Sequence, residues 1–409
     1  MKVVDLFAGC GGLSLGFQNA GYEIAAAYDF WLPAVNVYRE NFTSHSIYQM
    51  DLSDTEAAVR HIMPFAPDMI IGGPPCQDFS HAGKRQEGKR ASLTEAYAKI
   101  VSQISPEWFV MENVDRAQQS EAYKRARTIL KEAGYGLTEH IYDASLCGAP
   151  QKRKRFICIG KKGETDGFLE KIILDNEAKK PMTMRDYFGD SLGIEYYYRH
   201  PRNYNRRGFF SIDEPSPTIR GVNRPVPHGY TRHPNDPESI DGLRPLTTEE
   251  RAQVQTFPKD FIFKGSKTDL EQIIGNAVPV KLAEFVARRI SDYRNISNEQ
   301  CCDYMRSWLM EKKEMSAASA KDVISRINRV RCLTPIMHSD TAIDVNYRLA
   351  KSPSFNEMSS CVKSQMKRAV ALYFEFIAQS LNAAFDDSEP TDSGLLDQEY
   401  RQKKQTAQE

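Results

Sequence analysis

The 409-residue chain lacks the features that mark secreted, zinc-binding or membrane-spanning proteins. Its eight cysteines are scattered, with no CxxC pair and no histidine at zinc-ligand spacing, which argues against a zinc site and a disulfide scaffold. It has no run of about 18 apolar residues, and MKVVDLF leads straight into a strand-like segment without a signal peptide. We therefore expect reduced thiols, no bound metal, no membrane contact and a cytoplasmic location.

An excess of one charge is also missing. The 54 Lys and Arg residues balance the 54 Asp and Glu residues, so any surface that binds nucleic acid must be locally basic. The length and an apolar fraction of 41% allow two or three domains with buried cores.

Short apolar runs alternate with helical patterns over the first 160 residues. Apolar strands between helices are typical of a parallel sheet covered on both faces, with ligands at the carboxyl ends of its strands. The pattern predicts strands at 3–7, 23–28, 47–50, 68–71, 108–111 and 155–160, and helices at 31–42, 93–104 and 122–133.

The composition and periodicity of the chain change several times after this region. Residues 186–245 mix Tyr and Arg with Pro and Gly, which predicts a small loop-rich domain inserted between a first part, 1–185, and its continuation, 246–293. Residues 299–385 have helical periodicity throughout, and the polar segment 386–409 is expected to be disordered.

DLFAGCGG at 5–12 is a strand that ends in glycines and leads into a helix. Such a turn lets a ligand approach the backbone and the free N–H groups of the helix start. Asp29 ends the second strand, where it could bind ribose hydroxyls, and Asp51 ends the third, where it could accept from an adenine amino group. An adenosine-type ligand is favoured over ordinary turn glycines.

Three further motifs bring reactive side chains to strand ends. Cys76 follows two prolines in GGPPCQDFS, so it is either a small buried filler or a thiol held rigidly for chemistry. Glu112 ends the strand WFVM and is a desolvated acid or a solvated loop residue. In QKRKR, Gln151, Arg153 and Arg155 share one face of a strand. They either face an anionic or carbonyl group of a substrate or belong to a charged edge strand.

The motifs together identify a family resemblance. DLFAGCGG, GGPPCQDFS, ENV, QKRKR, LRPLTTEERAQVQTFP and IGNAVP occur in the order and spacing of DNA (cytosine-5)-methyltransferases, over about residues 1–293. The resemblance implies an α/β fold: a Rossmann-like, parallel-sheet S-adenosylmethionine domain with a small target-recognition domain at 186–245. The helical segment 299–385 is then a C-terminal extension of unknown role.

The resemblance also implies a mechanism. Cytosine C5 is too weakly nucleophilic to take a methyl group until a thiolate, here Cys76, adds to C6 of a base flipped out of the duplex. Glu112 would bind the N3 and amino edge of the cytosine, and Arg153 its O2 side, with Arg155 in the same catalytic set.

Contacts to cofactor and DNA follow by resemblance, motif by motif. For S-adenosylmethionine they are Phe7, Ala8, Gly9, Gly11, Gly12, Leu13, Asp29, Phe30, Asp51, Leu52, Pro74, Asn276 and Val278. For DNA they are Gln77, Ser80, Lys84, Arg85, Lys89, Arg90 and Gln151. In the loop-rich segment, Arg220, Arg224 and Arg244 are predicted DNA contacts, because arginine side chains suit guanine edges and phosphates. Two positions depart from the family pattern: Asp29 stands where Glu is commoner, and KRASL at 89–93 replaces an acidic-x-Arg pattern.

The predicted function is sequence-specific C5 methylation of double-stranded DNA, as the modification half of a bacterial restriction–modification system. The expected partners are DNA and, functionally, a cognate restriction endonuclease, with the protein a monomer associated with the nucleoid in the cytoplasm. The alternatives are a tRNA cytosine-5 methyltransferase and a catalytically silent DNA-binding regulator. In the extension, SAKDVISRINRV is faintly similar to the core-binding domains of tyrosine recombinases, which clasp DNA; a packing or partner domain is the alternative.

Overall fold

Seven strands form a central sheet in the computed structural model, which describes residues 1–75, 92–201, 206–240, 242–334, 336 and 340–386. In chain order its strands are β1 (Lys2–Leu6), β2 (Glu23–Asp29), β3 (Ser46–Gln49), β4 (Met69–Gly72), β5 (Trp108–Val114), β6 (Tyr135–Asp143) and β8 (Lys154–Lys162). The short strand β7 (Gln151–Lys152) precedes β8 and lies outside this sheet. The order across the sheet is β3-β2-β1-β4-β5-β8-β6.

The predicted parallel sheet is confirmed for β1 to β5, which pair in parallel. β8 runs antiparallel to both β5 and β6, so the sheet is mixed at that edge. The segment 144–153 that joins β6 to β8 contains no crossover helix, and parallel neighbours need a crossover of a dozen or more residues. The short connection therefore imposes the antiparallel pair.

Both faces of the sheet are covered, as the apolar strands predict. In β4, Met69 and Ile71 point into one core cluster and Ile70 into another, and all three are fully buried. The helices of this part of the chain are α1 (Gly12–Asn19), α2 (Leu32–Asn41), α3 (Thr55–Ile62), α4 (Ser92–Ile104), α5 (Glu121–Glu132), α6 (Glu170–Asn176), α7 (Met184–Phe188), α8 (Thr248–Val254), α9 (Lys267–Asn276) and α10 (Val280–Lys312).

The loop-rich segment is held by a few short strands and one buried carboxylate. The strands are β9 (Tyr196–Tyr198), β10 (Phe209–Ser211) and β11 (Ser216–Pro217), and β11 pairs with β7. Asp236 accepts from the Tyr230 hydroxyl at 2.8 Å and from the N–H groups of Gly208, Phe209 and His233. Hydrogen bonds to one carboxylate, rather than the packing of a periodic apolar face, order this segment.

The chain forms two compact units, Met1–Arg294 and Asn295–Glu409. Among the described residues, the second unit contains the end of α10, then α11 (Ala317–Leu333), α12 (Ala342–Lys351), α13 (Pro353–Asn356) and α14 (Ser360–Asp386) around its own apolar core. The predicted helical extension is confirmed, while the boundaries of the target-recognition domain at 186–245 stay a prediction. No helix in the described part of the chain is long and apolar enough to cross a membrane.

Candidate active site

The glycine loop after β1 adopts a conformation that few side chains tolerate. Gly9 and Gly11 have φ values of 57° and 94°, in the left-handed region, and Phe7 joins them at 58°. The Gly11 N–H bonds the Ala8 carbonyl at 2.9 Å, which closes a tight turn. The turn delivers the chain to the start of α1 at Gly12, where helix N–H groups lack partners within the helix.

Asp29 holds this loop in place. Its carboxylate accepts from the Gly9 N–H and from the Trp31 N–H, both at 2.8 Å. The pKa of Asp29 is raised, because the effect of burial outweighs the lowering by its backbone donors. Because each carboxylate oxygen has two lone pairs, the predicted bond to a ribose hydroxyl remains compatible with these contacts.

Next to Asp29, two of the predicted cofactor residues lie open to solvent. The Phe30 side chain is 68% exposed, although a large aromatic ring would ordinarily be buried. Asp51 is exposed and accepts from the Ser53 N–H at 2.9 Å. Other predicted cofactor residues are buried in the first unit: Ala8, Leu13, Leu52, Pro74 and Val278.

A late segment of the chain packs directly against the glycine loop. A Cβ added to Gly12 would overlap the backbone carbonyl of Val278, so only glycine allows this approach. Asn276 is exposed beside it and accepts from the Gln272 amide at 2.9 Å. The structure therefore brings together the two ends of the predicted cofactor pocket.

Glu112 and Arg155 form a buried ion pair at the carboxyl end of β5. Arg155 Nε lies 2.7 Å from Glu112 Oε1, and only 14% and 11% of the two side chains are exposed. Burial raises the pKa of Glu112, whereas Arg155 and Arg153 lower it. The other oxygen, Oε2, would be 2.9 Å from a Cβ on Gly73, so the carboxylate lies against the segment that leads to Cys76.

Arg153 and Gln151 differ from their predicted roles because both are buried, at 1% and 0% exposure. The Arg153 guanidinium donates to the carbonyls of Ile219, Gly275 and Ala277 at 2.9 to 3.1 Å. These bonds give Arg153 a structural role, and the ion pair with Glu112 is made by Arg155.

Gln151 is equally enclosed. Its amide donates to Gln255 Oε1 and accepts from the Ile219 N–H, both at 2.8 Å. A side chain with no exposed surface and satisfied polar atoms does not meet DNA phosphates, so the predicted DNA contact is corrected to a structural one.

Asn113 is a site residue that sequence reasoning missed. Its side-chain amide donates to the Pro74 carbonyl at 3.2 Å, and its Oδ1 accepts from the Val114 N–H at 2.8 Å. Asn113 is 4% exposed, so this bond fixes the segment two residues before Cys76 without competition from water. Its place directly after Glu112 in the ENV motif was the available signal.

Several predicted residues lie outside the described part of the chain. They are Cys76 and the predicted DNA contacts of the loop that follows it: Gln77, Ser80, Lys84, Arg85, Lys89 and Arg90.

The three arginines predicted to read bases differ in their surroundings. The Arg220 guanidinium donates to the His200 carbonyl, and Arg244 makes two 2.7 Å bonds to the Glu250 carboxylate. Both groups thus bond partners within the protein, and their predicted contacts with DNA stay predictions. Arg224 is exposed, and its predicted DNA contact stays a prediction.

Comparison with known proteins agrees with this arrangement. Residues 1–292 match the family model of C-5 cytosine-specific DNA methylases. Type II methyltransferase M.HindV of Haemophilus influenzae is 56% identical over 72% of this chain and 97% of its own length, and M.HgiDI of Herpetosiphon aurantiacus is 55% identical over 72% and 96%.

Solved structures share the fold. A DNA modification methyltransferase encoded within an E. coli prophage has a TM-score of 0.54 at 22% identity, covering 72% of this chain and 99% of that one. S. pombe Dnmt2 methyltransferase has a TM-score of 0.53 at 17% identity, covering 71% and 98%. From the family match and the identity of its relatives, the chain belongs to the C-5 cytosine-specific DNA methylase family and is a DNA (cytosine-5)-methyltransferase.

Proposed function

We propose that the enzyme methylates C5 of a cytosine flipped out of duplex DNA, through a transient bond between the Cys76 thiolate and C6. One observation carries this proposal: the buried Glu112–Arg155 pair lies against Gly73, three residues before Cys76. A charged pair of this kind, shielded from water beside a cysteine-bearing segment, suits recognition of a polar ring edge next to a nucleophile.

The residues around the glycine loop fit S-adenosylmethionine. Gly9 has open space where a Cβ would stand, Asp29 and Asp51 offer carboxylates, and Phe30 exposes an aromatic face. When bound, the cofactor supplies an electrophilic methyl group. These side chains hold its adenosine part, and the segment at Asn276 closes the pocket.

Cys76 starts the reaction as a thiolate. Its sulfur forms a bond to C6, and the electrons of the C5–C6 double bond move to make C5 nucleophilic. Glu112, whose raised pKa favours the protonated acid, donates its proton to a hydrogen bond with N3 and accepts from the amino group. Arg155 donates to O2, so that both groups offset the negative charge that develops on the ring. After C5 is methylated, its proton is lost to solvent and the sulfur leaves, which restores the double bond.

Arg155 takes the role that sequence alone gave to Arg153. The Arg153 guanidinium is engaged by three backbone carbonyls, whereas Arg155 lies 2.7 Å from the carboxylate that binds the base. Arg155 thereby orients Glu112 and can also reach a carbonyl oxygen of the ring.

The target base must leave the stack to reach these groups, because C5 and C6 are inaccessible within a duplex. We assign reading of the neighbouring bases to the loop-rich segment, with the exposed Arg224 as one contact. The names of the type II relatives support a role in a restriction–modification system, in which methylation protects the host DNA from a cognate endonuclease. We place the enzyme, as a monomer, at the nucleoid in the bacterial cytoplasm.

Transfer of tritiated methyl groups tests the substrate. The purified enzyme is incubated with labelled S-adenosylmethionine and either duplex DNA or tRNA. We expect label in duplex DNA only; label in tRNA alone, or in neither, would reject the proposal in favour of an RNA methyltransferase or a silent regulator.

Covalent trapping tests the nucleophile. A duplex with 5-fluorocytosine at the target carries no removable proton at C5, so the parent enzyme should remain bonded to it through Cys76. Cys76→Ser should bind cofactor normally but form no adduct and transfer no methyl group. Turnover by this variant at the parental rate would eliminate the covalent mechanism.

A further inference from the structure

The second unit carries a local excess of positive charge in a chain that is neutral overall. Residues 345–374, from the second half of α12 to the middle of α14, contain five basic residues against a single acid, Glu357. The basic residues are Arg348, Lys351, Lys363, Lys367 and Arg368. This segment lies beyond the family match, which ends at residue 292.

Most of these cations point away from the core. In α14, Met366 and Val370 are buried while Lys367 and Arg368 between them are exposed. Lys351 is exposed at the end of α12, with its ammonium 4.2 Å from the centre of the Tyr347 ring, which is itself 62% exposed. The segment therefore presents cations together with an aromatic face.

Lys363 adds a fourth charge at the start of α14. It donates to the Asn356 carbonyl at 2.7 Å, which ties the first turn of α14 to the end of α13. The helices α12 and α14 also pack against each other, so these cations belong to one compact group of helices.

Two arginines elsewhere in the same unit have a carboxylate partner about one helical turn away. Arg306 pairs with Asp303 and Arg326 with Asp322, at 2.8 and 3.6 Å. By contrast, within the described residues, Lys351, Lys363, Lys367 and Arg368 form no ion pair with a carboxylate, while the fifth basic residue, Arg348, pairs with Asp340. The first four turns of α14 contain no acid at all. These four cations are therefore available to an anionic partner.

We propose that Lys351, Lys363, Lys367 and Arg368 form a basic surface that binds the phosphate backbone of duplex DNA beside the methylation target. Phosphate contacts of this kind add affinity without reading sequence. The choice of duplex DNA rests on the proposed substrate of the first unit, because α10 links the two units covalently and so keeps the surface at high effective concentration near the same duplex.

The salt dependence of DNA binding tests this surface in the full-length protein. Each phosphate contact contributes about 0.9 to the slope of log affinity against log salt, so K367Q/R368Q should lower the slope by about two. Adding K351Q should lower it further. The control R306Q/R326Q removes the same charge from the same unit at positions that have carboxylate partners. It should keep the parental slope.

The measurement uses a long duplex without a target and no cofactor, so its outcome does not depend on catalysis. An unchanged slope in K367Q/R368Q, or an equal loss in the control, would overturn the proposed surface. Methyl transfer to short target duplexes should be parental in K367Q/R368Q, while the KM for long duplexes rises. If duplex DNA is not methylated at all but the slopes still differ as expected, the proposed function fails and the basic surface stands.

Discussion

Replacing Arg155 with Gln gives the sharpest test of the site, because it leaves Glu112 buried without its cation. The two groups lie 2.7 Å apart with 14% and 11% of their side chains exposed. At that distance and an effective dielectric constant of about 20, their attraction is on the order of 6 kcal/mol. The desolvation cost of Arg155 offsets part of it, and breaking a buried pair typically costs about 3 to 5 kcal/mol.

The loss of stability in Arg155→Gln should depend on pH. Burial raises the pKa of Glu112 above its ordinary value, and Arg155 counteracts this, so Arg155→Gln raises the pKa further. A carboxyl group with a higher pKa in the native state binds its proton more tightly there than in the unfolded state. The stabilisation that this proton gives is complete below the pKa of the unfolded state, and it is lost as the pH rises through the pKa of the native state. The variant should therefore be closest to the parent in acid and fall progressively behind it toward neutral pH.

Urea unfolding at several pH values, followed by tryptophan fluorescence, measures both effects. The matched control is Lys124→Gln, which breaks an ion pair of the same 2.7 Å length whose side chains are about 60% exposed. The control should leave the unfolding midpoint almost unchanged at every pH. The reasoning is refuted if Arg155→Gln costs no more stability at neutral pH than Lys124→Gln, or if its deficit is independent of pH.

Three further changes probe neighbouring contacts. Asn113→Asp cannot donate to the Pro74 carbonyl, so kcat for methyl transfer should fall up to about tenfold with the KM for cofactor unchanged; a parental kcat would contradict the contact. Gly12→Ala places a Cβ against the Val278 carbonyl, and calorimetry should show at least about tenfold weaker binding of S-adenosylmethionine. Arg153→Met removes three bonds to carbonyls and should cost about 3 kcal/mol or more in urea unfolding. Parental stability would restore its predicted role at the base.

The centre of the fold could be predicted because its strands are buried on both faces. The run at 68–71 is apolar at nearly every position and is followed by glycines and prolines, and β4 lies at Met69–Gly72. The edge strand β6 was not predicted. Its second half carries Glu139 and His140, which are not buried, and this breaks the apolar run.

The candidate site, like the sheet, could be predicted only in part from the local sequence pattern. Alternation along QKRKR correctly separates Gln151, Arg153 and Arg155 from the exposed lysines between them. It cannot show which of the three is covered, since the atoms that cover Arg153 come from Ile219 and from the segment 275–277. Such contacts join positions far apart in the chain, and local pattern carries no information about them.

The contact between Gly12 and Val278 has a consequence for biosynthesis. The loop emerges from the ribosome early, but the segment that covers it is made only after more than 250 intervening residues. At about 5 to 20 residues per second, the wait is on the order of ten to fifty seconds. During that interval the nascent protein has an open pocket and an incomplete core, so it cannot modify DNA before this segment has been made, and a chain that stops earlier remains inert.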